Sequence, residues 1–101
     1  MRFLTTRKRF RDLTEQEVLA LAISSEEDDA RIYRGYAEQL RAEYPASAVT
    51  FEEMAIEEDN HRHQLIDLHR QRFGEVIPLI RREHVAGYYA RRPVWLIENL
   101  G

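Results

Sequence analysis

Glu58 and His61 stand three residues apart in the stretch EEDNHRHQL, residues 57–65, inside an otherwise amphipathic helical pattern. On an α-helix that spacing puts both side chains on one face, so a carboxylate oxygen and an imidazole nitrogen can approach one cation together. The pair alone is not specific, because 13 glutamates in 101 residues make one such coincidence with four histidines about an even chance. His63, His69 and His84 have Asn60, Ile66 and Arg81 at the corresponding position and read as surface residues. Glu26 adds a second signal. It shares a helical stripe with Leu19, Ala22, Ile23, Ala30, Tyr33 and Ala37. An ionised carboxylate in such company needs a cation or a proton, since burial without a partner costs several kcal/mol. Glu58 has similar neighbours in Phe51, Met54 and Leu65, so two acids and one imidazole point into one seam. The same residues also allow an ordinary charged hairpin, with Glu26 paired to an arginine and Glu58 to Arg62.

Two helices must position these groups. Thr14 and Glu17 form a capping-box pattern, and Val18, Leu19, Ala22, Ile23, Ala30, Tyr33, Ala37 and Leu40 follow at helical spacing, predicting a helix over roughly 14–42. EYPAS breaks it, because Pro45 cannot continue a helix and restricts Tyr44; Ser47 can cap the next helix. Val49, Phe51, Met54, Ala55, Leu65, Ile66 and Leu68 mark that second helix to about Phe73, closed by Gly74. So short a bend makes the helices antiparallel neighbours. With Tyr44 as the bend, Glu26 lies about 27 Å before it and Glu58 and His61 about 21 and 25 Å after it, at 1.5 Å per residue. The levels agree to within about one turn. Beyond GEVIPLI a short third helix is expected over roughly 79–89, with a last turn in VWLIENL. The expected organisation is a basic arm (1–13), a helical hairpin (14–73) and a short helical extension or linker (74–101), all-α throughout. A lone hairpin leaves much of each apolar stripe in water, and a second hairpin would cover it.

Composition narrows the chemistry. A formal charge of -3 and a pI near 5.8 argue against nucleic acid as a partner. Arg2, Arg7, Lys8, Arg9 and Arg11 precede the first acid, Asp12, which reads as a solvated arm or a contact for an acidic partner or anionic membrane face. The absence of cysteine leaves any metal to oxygen and nitrogen donors. No apolar run approaches the roughly 20 residues of a membrane span, and the chain as given reads as soluble, on the cytoplasmic side.

The combined pattern resembles the ferritin-like di-iron proteins. There a first-helix Glu lies seven residues before a Tyr with a small residue four further on, and a second helix carries Glu-x-x-His with Leu four beyond. The matching residues are Glu26, Tyr33 and Ala37, then Glu58, His61 and Leu65. The likeness covers about residues 14–73 and is nearest to the rubrerythrin-like, membrane-bound ferritin branch, whose ferritin-like domain precedes a vacuolar-iron-transporter-type membrane domain. IPLIRREHVAGYYARRPVW resembles the linking segment of that branch. The resemblance implies Glu26 as a terminal or bridging iron ligand, Glu58 as a bridging carboxylate, His61 as the nitrogen ligand and Tyr33 as a hydrogen-bonding neighbour of the ligands. It implies a di-iron (Fe) centre with one Glu from each of two helices and one Glu-x-x-His from each of two more. This chain carries half, so the centre needs a second hairpin, from a homodimer forming a four-helix bundle or from sequence beyond Gly101, where relatives of that branch are expected to continue. The implied activity is oxidation of Fe(II) with O2 or H2O2 as acceptor. Without the Cys-ligated rubredoxin iron of rubrerythrin-like peroxidases, a ferroxidase or iron-sensing role attached to transport fits better than sustained peroxidase turnover. A metal-free dimerisation hairpin and a regulatory manganese or zinc site are the rival readings.

Overall fold

The computed structural model describes residues 8–87, and its framework is two long helices packed antiparallel. Helix α1 runs Glu15–Leu40 and α2 runs Pro45–Phe73. The capping box forms as expected: the Glu17 N–H donates to the Thr14 hydroxyl, and the Thr14 N–H donates to the Glu17 carboxylate. Only residues 41–44 separate the helices. The cap of α2 differs from expectation, since Pro45 itself is the first helical residue and Ser47 lies exposed inside the first turn. Proline suits that position because its fixed φ is already helical and the N–H it lacks would have no helical partner. At the far end Gly74 has a φ of 92°, open to glycine at little cost, and its N–H closes on the Arg70 carbonyl.

Small residues form much of the seam. Ala20, Ala30, Ala37, Ala48 and Ala55 are all buried, which lets the two backbones approach closely. Ala30, Tyr33, Met54 and Ala55 form the core cluster, with Phe51 packed against it. Tyr33 and Tyr36 both pack against the Phe51 ring, tilted and edge-on, at 6.2 and 5.2 Å between centroids.

The third helix expected over roughly 79–89 does not form over its described part, 79–87. Residues 75–81 are irregular and lead only into a single 3-10 turn, Arg82–His84. A helix so short has too few internal hydrogen bonds to stand alone, and here the backbone finds other partners. The Ile80 carbonyl accepts from the Ser24 hydroxyl, while Ala86 pairs with the arm: Phe10 N–H donates to Ala86 O at 2.9 Å and Ala86 N–H to Lys8 O at 3.0 Å. Residues 75–87 thus form a strap along α1. The arm read as solvated is held from Lys8 onward, through this bridge, a 3-10 turn Phe10–Asp12 and a Lys8–Glu17 ion pair at 2.9 Å. The turn expected in VWLIENL lies outside the described residues. Among the described residues, no helix is long and apolar enough to cross a membrane.

Candidate metal centre

Four consecutive acids on α1, Glu26 to Asp29, are separated by the helical rotation of 100° per residue. Asp29 meets Arg82 at 2.8 Å and Asp28 meets Arg81 at 2.9 Å, both on the strap. Glu27 is exposed and lies 3.8 Å from Arg31. Glu26 alone turns to the other helix. Its Oε2 is buried without a hydrogen-bond partner and sits 3.8 Å from His61 Nδ1.

The seam places one donor atom from each of Glu26, Glu58 and His61 within 4.8 Å of one another. The levels estimated from the helical rise therefore meet in space, although 31 residues of chain lie between Glu26 and Glu58. Glu26 and Glu58 are half-buried, whereas His61 lies at the edge of the seam with 55% of its side chain exposed. Burial holds the Glu58 carboxyl above its ordinary range, and the neighbouring His61 opposes that shift. The arginine pairing allowed by the sequence goes elsewhere: Arg34 bonds Asp59, and Arg62 also approaches Asp59, at 3.9 Å. Arg34 holds the Asp59 carboxyl below its ordinary range.

Two carboxylates and an imidazole, one carboxylate oxygen buried and unpartnered, fit a cation of hard or borderline character. Three donors leave such an ion short of the six or so ligands usual for iron-like coordination, and the exposed His61 edge leaves room for more. A surface groove lined by Arg34, Ala37, Glu38, Arg41, Glu52 and Ile56 includes none of the three donors, and its Arg41 is committed to Glu38 and Glu52.

A family model described as Rubrerythrin matches residues 17–101. The chain belongs to the rubrerythrin family. Membership points to a ferritin-like di-iron fold, and the donor cluster of this rubrerythrin-family hairpin spans its two long helices. Neither the curated proteins nor the solved structures yield a match to the chain.

Tyr33, expected beside the ligands, is buried in the core cluster, and burial, with Asp29 and Tyr36 nearby, raises its hydroxyl above the ordinary range. His63 and His84 are exposed as read, but His69 is not a surface residue. It is fully buried, with Nδ1 3.1 Å from the Gly74 carbonyl and Nε2 3.4 Å from the Gln16 amide. A carbonyl only accepts, so Nδ1 carries the proton and Nε2 receives the Gln16 N–H. The side chain ties the first turn of α1 to the last turn of α2. A Glu three residues before a histidine is a local sign, and a partner 53 residues away gives none. The strap pairs Asp28–Arg81 and Asp29–Arg82 were also missed, although an acidic run and a later basic pair were both present in the sequence.

Proposed function

We propose that this rubrerythrin-family domain binds Fe(II) between paired hairpins and oxidises it, with O2 or H2O2 as electron acceptor. The observation that carries the reading is the convergence of Glu26, Glu58 and His61 within 4.8 Å, with a buried carboxylate oxygen that lacks a hydrogen-bond partner. Iron bound there supplies the redox step, giving up an electron per ion to the acceptor. The chain supplies everything else. Glu26 and Glu58 provide hard oxygen donors whose negative charge favours the ferric product over the ferrous substrate, and His61 provides nitrogen from the next turn of α2. Two hairpins related by two-fold symmetry contribute four carboxylates and two imidazoles, which balance two ferrous ions. Tyr33 takes the role of the buried hydroxyl beside the ligands; it packs with Ala30, Met54 and Ala55, which lie one helical turn from Glu26 or Glu58.

These 101 residues contain no cysteine and so carry no rubredoxin-type electron relay of their own, and the domain is read as a ferroxidase rather than a sustained peroxidase. The resemblance of the hairpin and of IPLIRREHVAGYYARRPVW to membrane-bound ferritins extends the proposal to service of an iron-exporting membrane protein, with the basic arm as a contact for anionic lipid. Anaerobic Fe(II) titration tests the core of it. Saturation at two ions per pair of chains is expected, with oxygen consumed on aeration, and Glu58→Ala or His61→Ala should abolish both. Binding without oxygen consumption would favour a regulatory site, and no specific uptake by the unaltered chain would leave only a metal-free dimerisation hairpin.

A further inference from the structure

We propose that metal loading and self-association of this chain are a single event: the hairpin remains one copy until divalent cations bridge the Glu26, Glu58 and His61 sets of two copies. The inference rests on the metal reading above and adds its regulation. The donor set opens on one face, where the His61 side chain is 55% exposed. Ala22 lies one turn before Glu26, and Leu65 and Leu68 lie one and two turns beyond His61, so the rim of that face is apolar but modest, with Leu68 still 41% exposed. Elsewhere on α1 the strap already engages Ser24, Asp28 and Asp29. Among the described residues the strap leaves the face carrying the donors open, and of the faces left open it is the one with an incomplete ligand set. A second copy is thus the occupant whose own identical donors complete the coordination.

Charge decides when it docks. Two carboxylates from each copy would meet as four in one desolvated interface, where like charges repel far more strongly than in water. Two divalent ions cancel that charge in full. The small apolar rim drives association too weakly to overcome the repulsion alone, whereas ions that bind only across the pair strengthen it by mass action. Two such ions, each at ten times its dissociation constant, strengthen pairing about 100-fold.

Sedimentation velocity of the 101-residue chain in EDTA and in Mn(II), which suits oxygen and nitrogen donors and stays divalent in air, tests this directly. The expected result is the mass of one chain in EDTA and of two in Mn(II), with association strengthened about 100-fold or more. The double variant Glu26→Gln, Glu58→Gln keeps shape and removes charge; with helix content unchanged by circular dichroism, its mass should be the same in EDTA and Mn(II). A two-chain mass for the unaltered protein in both solutions, with two Mn(II) bound per pair, would overturn the coupling and leave the site standing. Mn(II)-driven pairing that persists in the double variant would overturn it as well. No Mn(II) bound at all would defeat the site itself.

Discussion

Glu58 carries its charge at a cost that the metal-free protein should reveal. Because burial raises its native pKa, the unfolded chain releases this proton at lower pH than the folded chain does. Between the two values the native state binds more protons, so this group's contribution to stability is present below the unfolded value and is lost as pH rises through the native one. In EDTA, Glu58→Gln should therefore gain on the unaltered chain in thermal melts as pH rises through that window, then hold a constant advantage. A difference independent of pH would contradict the burial. His69 makes the opposite case, a polar group whose partners are all met. Removing a fully buried ring and both its hydrogen bonds, as in His69→Ala, should lower stability by about 2–4 kcal/mol in urea unfolding. A loss below about 0.5 kcal/mol, the level of surface substitutions, would mean that the ring does not bridge the two helix ends.

At the scale of elements, the strap is the part held by charge. The Asp28 side chain is 9% exposed and meets Arg81 at 2.9 Å, with Arg31 and Arg82 further away at 3.5 and 3.8 Å. Arg81→Ala should cost about 1–3 kcal/mol and speed amide exchange at Phe10 and Ala86, the two N–H groups of the arm–strap bridge, while the middle of α2 keeps its protection. Unchanged exchange at those amides would show that the strap is held by something else. The two long helices were legible in the sequence because their signals are local: Thr14 with Glu17 at the start, Pro45 at the bend, Gly74 at the end and a helical period between. The strap was not, because its order comes from pairs such as Asp28–Arg81, 53 residues apart, and from a backbone bridge to the arm. Helical period carries no information about either. The convergence of Glu26, Glu58 and His61 was readable because spacing on a helix fixes a face; the His61 ring at the seam's edge, rather than inside it, depends on how the helices pack.

For the whole molecule, one hairpin is proposed as half of a bundle, so that its chemistry depends on what lies against the face that carries the donors. Three donors within 4.8 Å make a site only if further donors arrive, and two-fold pairing brings the same three again. The family match spans residues 17–101, so it takes in nearly all of α1, all of α2 and the strap that engages Asp28. Crystals of this chain grown anaerobically with Fe(II) and measured at the iron absorption edge decide whether paired hairpins hold iron in the seam. Two iron peaks are expected between paired hairpins, each touching Glu58 and His61 and reached by Glu26. Iron absent from that seam, with Glu26 turned to solvent and nothing joining it to Glu58 and His61, would contradict the di-iron reading.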